Sequence, residues 1–348
     1  MPLKAKLDGN DIFAFNFDEY SWAELKNKPV KMQCCGNKSI LKKSKLGTLF
    51  FSHHRKGDCT SEAESAEHLY IKNLICLIAL RNDWEVVTEK LGESPSGEKW
   101  IADVYCVKGK VKLAFEVQWS HQSDEEFLRR QTKYTESGVR AAWLFRLRSN
   151  KEYWIDDIPY QFDTPVFGIK MKPKGIKNLY IPQYDIPIEP FVEGMLQGKL
   201  AWSPRAGQRL NTEVIPYYKQ CWQCNKETGV IIGISIKDDN NQELSFKRFG
   251  DEGVPEFIMN NGVSEQLAKH KVGILKKRYS KTRGESYLSN GCFHCDAVMG
   301  NFFIFESLVA HCGEFPNPIH KFEYIFGANG PHITGEWSFN GRQSKHIF

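Results

Sequence analysis

Three groups of residues in this 348-residue chain have the types and spacing to do chemistry. The first centres on FEVQWS at 115–120. Side chains alternate across a strand, so Glu116 and Gln118 share one face while Phe115, Val117 and Trp119 share the other. Asp103, in the run WIADVYCV, is a second acid in an apolar strand setting. Glu67 and His68 lie on the inward face of an upstream helical pattern. A buried carboxylate without a partner is costly, so these acids must be ion-paired, hydrogen-bonded or bound to a cation. Three acids and a Gln from separate places in the chain can converge on one divalent ion. Hard oxygen ligands of this kind suit Mg²⁺ or Mn²⁺.

The second group is CWQC at 221–224 with CFHC at 292–295. Two CxxC knuckles supply four thiolates, Cys221, Cys224, Cys292 and Cys295, which is the donor set of a closed tetrahedral zinc site. The stretch between them is long for a zinc ribbon and must hold an inserted small domain or extended strands. The third group is Cys34, Cys35, His53, His54 and Cys59. It reads as a zinc site built from Cys34 or Cys35, His53 or His54, and Cys59. Its alternative is a cytosolic cysteine cluster without metal. Adjacent cysteines are awkward chelators of a single tetrahedral ion. Cys76, Cys106 and Cys312 stand in apolar or loop contexts and read as packing residues.

These residues need elements to position them. Ser61 with Glu64 at the capping-box position predicts a helix start, and Ile71, Leu74, Ile75 and Ile78 give its apolar stripe. Strands are predicted at WEVVTE, WIADVYCV and VKLAFEVQW, the last two joined by a turn at Lys108–Lys110. Ser123 and Glu126 open a second helix that Gly138 closes, and VRAAWLFRL is a further strand. Gln131 shares a helical stripe with Phe127 and Tyr134. Residues 148–215 are expected to finish the sheet with short strands and a helix near FVEGMLQGKL. The boundary falls near AWSPRAGQRLNTE, and VIIGISIK reads as a strand beyond it. The expected domains are therefore an N-terminal zinc-finger-like module (1–60), an α/β domain (61–205) and a C-terminal Cys₄ zinc-ribbon-like domain (216–348).

The net charge of +5 permits a polyanionic partner without demanding one. A basic stretch, KHKVGILKKRYSKTRGESY, interleaves Lys276, Lys277, Arg278, Lys281 and Arg283 with two tyrosines. That combination suits phosphate contact and base stacking on single strands, although a solvated basic loop explains such a run equally well. Arg129, Arg130 and Lys133 add a second source of charge. No segment approaches the roughly 20 apolar residues of a membrane span. A soluble cytoplasmic protein is expected.

Helix, three-stranded meander, helix and strand is the core order of the PD-(D/E)xK nuclease-like fold. More specifically, the sequence resembles the competence protein CoiA-like family. The matching pieces are GTLFFSHH, ESAEHL, ADV, FEVQWS and RRQTKYTESGVRAAWLF, which span roughly residues 30–150. The resemblance implies a restriction-endonuclease-like αβββαβ core flanked by zinc-binding β-rich modules. It also implies divalent-metal-dependent cleavage of DNA. Asp103 and Glu116 would hold Mg²⁺ or Mn²⁺, and Glu67 would be a further ligand or orient the attacking water. Gln118 stands where the motif usually has Lys. His68 is a candidate phosphate contact or a satisfied core residue. Two other readings are a nucleic-acid-binding adaptor that keeps the fold without cutting, and a zinc-stabilised protein-interaction scaffold.

Overall fold

The structure is a computed structural model that describes residues 2–60, 64–120, 122–147, 165–171, 179–281, 284–309, 316–328, 330–331 and 333–343. The chain forms two units, Met1–Trp202 with Glu336–Phe348, and Ser203–Gly335. No helix among the described residues is long and apolar enough to cross a membrane.

The first unit begins with the hairpin β1 (Lys4–Leu7) and β2 (Asn10–Phe13), a short helix α1 (Glu19–Glu24), and the hairpin β3 (Ser39–Lys43) and β4 (Leu49–His53). Its small apolar core, with Leu3, Trp22, Met32 and Phe51, also takes in Leu69 of the next helix. The N-terminal module is thereby packed onto the α/β body.

That body has the expected order: α2 (Ala66–Arg81), β5 (Glu85–Glu93), β6 (Lys99–Lys108), β7 (Val111–Gln118), α3 (Asp124–Glu136) and β8 (Arg140–Arg146). The strands β9 (Val166–Met171), β10 (Leu179–Ile181) and β11 (Ile186–Pro187) complete a seven-stranded sheet in the order β11-β10-β9-β8-β7-β6-β5. β5, β6 and β7 form an antiparallel meander, and β8 joins β7 in parallel across α3. The helix α4 (Ile188–Leu196) lies slightly upstream of its expected place and leads to β12 (Leu200–Ser203).

Each face of the sheet has its own core. Ile71, Ile75 and Ile78 of α2 pack with Val104, Phe115, Val117 and Leu144. Phe127 and Tyr134 of α3 pack with Trp100, Ala102, Trp143 and Phe145. The Gln131 amide oxygen accepts the Trp143 indole N–H at 2.6 Å, which gives that inward-facing amide a packing role. Cys76 and Cys106 are buried core residues, as expected. Cys312 and its neighbour His311 lie outside the described residues.

The helix caps decide where the site residues fall. Ser123 accepts the Glu126 N–H as expected, and Gly138 ends α3 with φ +64°. In α2 the cap is Ser65, whose hydroxyl accepts the His68 N–H at 3.1 Å. The expected cap, Ser61, lies outside the described residues. Capping at Ser65 leaves Glu64 just before the helix, one turn from His68.

The second unit is built on the long hairpin β13 (Arg209–Gln220) and β14 (Glu227–Lys237), flanked by β15 (Glu243–Arg248) and β19 (His320–Ile325). α5 (Val254–Asn260) and α6 (Ser264–Leu267) supply Phe257, Ile258 and Leu267 to its core. A smaller sheet holds β16 (Lys276–Ser280), β17 (Glu285–Gly291) and β18 (Val298–Met299), and α7 (Asn301–Val309) follows. Of these, β14, β15, α5, α6, β16 and β17 lie between the knuckles and are the expected insertion. The strands β20 (Glu336–Phe339) and β21 (Arg342–Gln343) belong to the first unit, where β20 pairs with β12.

Candidate functional site

The β6–β7 pairing runs from Lys108↔Val111 to Val104↔Phe115 and stops. The next residues on the two strands are Asp103 and Glu116. Beyond the break, the Val117 N–H donates to Asp103 Oδ2 at 2.9 Å, so the carboxylate replaces a strand partner. Asp103 turns towards α2. His68 Nε2 lies 3.2 Å from Oδ2, and Lys72 Nζ lies 3.7 Å from Oδ1. Glu64 Oε1 lies 3.8 Å from His68 Nδ1 and accepts from Lys72 Nζ at 2.7 Å. Glu89 of β5 also binds the Lys72 ammonium.

Glu64, His68 and Asp103 have ligand atoms within 4.8 Å of one another, close enough to share one metal ion. Their side chains are 19, 18 and 22% exposed, which leaves the group open to solvent, whereas Lys72 is sealed at 1%. Burial works against the Asp103 carboxylate, but Lys72, His68 and the Val117 N–H overcome it and hold its pKa well below the usual carboxylate range. Burial likewise opposes a charged His68, yet the Asp103 and Glu64 carboxylates raise its pKa. Lys72 is also desolvated, but Glu89, Glu64 and Asp103 together keep it firmly protonated. Glu89 is pushed up by burial and by the Glu64 charge, against the pull of Lys72.

The structure does not gather all the expected residues here. Glu67 points elsewhere, and its carboxylate accepts from Lys45 Nζ at 2.9 Å. Glu116, 1% exposed, has both oxygens engaged by α3: Oε1 accepts from the Tyr134 hydroxyl and Oε2 from Arg130. Burial and the nearby Asp103 charge push its carboxyl up to about 8. Asp103 and Glu116 are thus electrostatic neighbours served by helices on opposite faces. The Gln118 amide donates to the Ser120 carbonyl at 2.7 Å.

Sequence reading missed Glu64, Lys72 and Glu89. The signal for Lys72 was its place on the apolar stripe of α2, one turn after His68. Glu64 needed the true cap. Glu89 has φ +48° in mid-strand, a conformation that nothing in its type announces.

Both cysteine clusters form. Cys221 Sγ lies 3.7 Å from Cys295 Sγ, and Cys224 Sγ lies 3.7 Å from Cys292 Sγ. A tetrahedron with arms of about 2.3 Å has edges close to that length, so the set can hold zinc. Each knuckle is the turn of a hairpin. Cys221 N donates to Lys226 O and Cys292 N to Ala297 O, and the next residues, Asn225 and Asp296, take left-handed backbone. In the N-terminal cluster His53 Nε2 is 3.4 Å from Cys34 Sγ and 3.3 Å from Cys35 Sγ, while Cys59 Sγ is 3.6 Å from Cys34 Sγ. Both adjacent cysteines therefore join one site that can hold zinc, with His53 rather than His54 beside them.

The basic residues divide. Arg278 is turned inward at 8% exposure, donating to the Ser289 and Ile274 carbonyls and to Asp296. Lys276 also pairs with Asp296. Lys277, Tyr279 and Lys281 face solvent, and Arg283 lies outside the described residues. On α3, Arg129 and Lys133 pair with Glu98, and Arg130 with Glu116. That helix offers less free charge than its sequence suggests.

Residues 64–162 match the family model described as competence protein CoiA, nuclease-like domain. No curated protein matches the chain. The match covers the Glu64–His68–Asp103 group together with Lys72, Glu89 and Glu116, so over residues 64–162 the chain is similar to the nuclease-like domain of competence protein CoiA.

Proposed function

We propose that the first unit is a divalent-metal-dependent nuclease domain of the PD-(D/E)xK type that hydrolyses phosphodiester bonds in DNA. The observation that carries this is the convergence of Glu64, His68 and Asp103, each partly exposed, within reach of one ion. The two carboxylates supply the hard oxygen donors that suit Mn²⁺ and Mg²⁺, and the imidazole adds a borderline nitrogen donor that Mn²⁺ accepts more readily than Mg²⁺. When bound, such an ion supplies positive charge to the scissile phosphate and lowers the pKa of an attacking water.

The chain's own residues do the rest. Asp103 is fixed from both sides, by the Val117 N–H and by His68, so it presents its carboxylate without reorganising. Glu116 stands behind it as a positioning residue that ties β7 to α3 through Arg130 and Tyr134. Gln118 contributes hydrogen bonding and no charge. The two thiol clusters serve as structural zinc sites, which suits reduced cysteines in a cytoplasmic setting. Lys277, Tyr279 and Lys281 form an accessory strand-contact surface.

The test is cleavage of single- and double-stranded DNA by the zinc-loaded chain with Mg²⁺ or Mn²⁺, beside Asp103→Asn and Glu64→Gln. Cleavage by the wild type and none by either folded variant is expected. The second reading, a non-cleaving nucleic-acid-binding adaptor, draws on the uncharged residue at 118. Salt-sensitive DNA binding with no cleavage in any metal would favour it.

A further inference from the structure

On the metal-site reading just given, charge and space limit how many divalent ions the site can take. The inner group holds three carboxylates, Glu64, Glu89 and Asp103, and one ammonium, Lys72. With His68 neutral, as a metal ligand must be, their charges sum to −3 + 1 = −2. That is the complement of a single divalent ion. Glu116 and Arg130 are left out of the sum, because they pair with each other on the α3 face of the sheet, opposite Lys72 on α2.

Lys72 occupies the place a second cation would need. Its Nζ binds Glu64 Oε1 at 2.7 Å and Glu89, and lies 3.7 Å from Asp103 Oδ1. It therefore bridges two of the three carboxyl groups that an ion pair would have to share. Paired catalytic ions stand about 3.5–4 Å apart and bridge carboxylates in the same way. The ammonium cannot swing away cheaply. Its stem rises from the buried stripe of α2 among Ile71, Ile75 and Cys76, and the side chain is 1% exposed. That seal also keeps it from touching a phosphate directly.

Glu89 holds it there. Glu89 lies between the paired residues Thr88↔Val104 and Lys90↔Ala102, opposite Asp103, yet has φ +48°. A left-handed backbone is uncommon for any residue but Gly and is retained where the surroundings require it. Here it accompanies a carboxylate aimed at Lys72. The remaining oxygen, Glu89 Oε2, is buried with no hydrogen-bond partner among the described residues, as is Glu64 Oε2. Each of these two carboxyl groups thus has the Lys72 ammonium on its other oxygen.

We infer that Lys72 is a built-in second cation, positioned by Glu89, and that the site accordingly binds one divalent ion rather than two. A purely structural ion network would place no limit on metal stoichiometry.

The experiment is a titration of the zinc-loaded full chain with Mn²⁺, reading free Mn²⁺ by electron paramagnetic resonance and counting only sites lost in Asp103→Asn. The wild type should bind one ion. Lys72→Met should bind a second, or hold the first about tenfold more tightly, because one positive charge a few ångströms away has been removed. Glu89→Gln, which removes one negative charge and no ligand, should bind about tenfold more weakly. Two Asp103-dependent ions in the wild type would overturn the inference. So would a folded Lys72→Met protein unchanged in both number and affinity. If Lys72→Met does not fold, Glu89→Gln decides, and wild-type affinity there overturns the inference. No Asp103-dependent Mn²⁺ in the wild type would instead remove the metal site itself.

Discussion

Glu116→Gln tests the electrostatics beneath the site. The change is isosteric, keeps an acceptor for Tyr134 and removes the ionisable group. Burial and the Asp103 charge push the Glu116 carboxyl from 4.5 up to about 8, and Arg130 and Tyr134 do not cancel that. The unfolded chain loses this proton near 4.5, whereas the folded chain keeps it to about 8. Between those values the folded state binds more protons, so this group's contribution to stability falls as pH rises and is lost above 8. Moving a carboxyl that far corresponds to at most about 5 kcal/mol above pH 8, and to about 3 kcal/mol at pH 6.5. The Gln side chain carries no such dependence. Urea unfolding followed by circular dichroism, with no divalent ion beyond bound zinc, should show wild type losing roughly 3–5 kcal/mol relative to Glu116→Gln between pH 5 and 8.5. A difference that stays flat, or that shifts towards wild type as pH rises, would refute the reasoning. It would mean that Arg130 keeps Glu116 ionised throughout and that the Asp103 repulsion is negligible.

Other expectations can be checked singly. Glu67→Ala should change stability by no more than about 1 kcal/mol, as for an exposed pair, and leave Mn²⁺ binding intact, whereas Glu64→Ala should abolish it; calorimetric titration of both separates the two carboxylates. Purified protein should contain two zinc ions by elemental analysis, falling to one in Cys292→Ser or in His53→Ala and staying at two in His54→Ala. Lys277→Ala should weaken DNA binding and lower the salt slope by about 1. Arg278→Ala should instead cost about 1–3 kcal/mol of stability, because it leaves the buried Ser289 carbonyl without its donor and removes one of the two cations paired with Asp296; DNA affinity against salt and thermal unfolding read the two effects.

The α/β body was legible because its signals are periodic and local. The stripe Ile71, Ile75, Ile78 and the alternation in FEVQ both depend on which side of an element is buried, and both survive into the structure. The two faces read for β7 are also real, with Val117 under α2 and Glu116 under α3. Where a carboxylate goes after that depends on what other elements bring to it. Glu67 and Glu64 are both acids near the start of α2, and a difference of four residues in the cap decides which of them meets His68. Arg278 and Lys277 are neighbours in a basic run, but Asp296 arrives from the second knuckle on only one side of the strand. Neither choice is encoded in spacing.

Position 118 and Lys72 are two sides of one such case. A motif is indexed along the chain, so a Gln in the usual Lys position registers as a lost positive charge. The field at Asp103 is set by distance, and any element that reaches it can supply the charge. Here α2 does so, from a stripe position where a Lys is expected to be a misfit among isoleucines. An exposure of only 1% would be prohibitive for an isolated ammonium. It is sustained because Glu64 and Glu89 bind it directly and Asp103 lies close by. The same contacts that make Lys72 tolerable in the core make it part of the site's charge. Its placement therefore bears on metal stoichiometry as much as on folding.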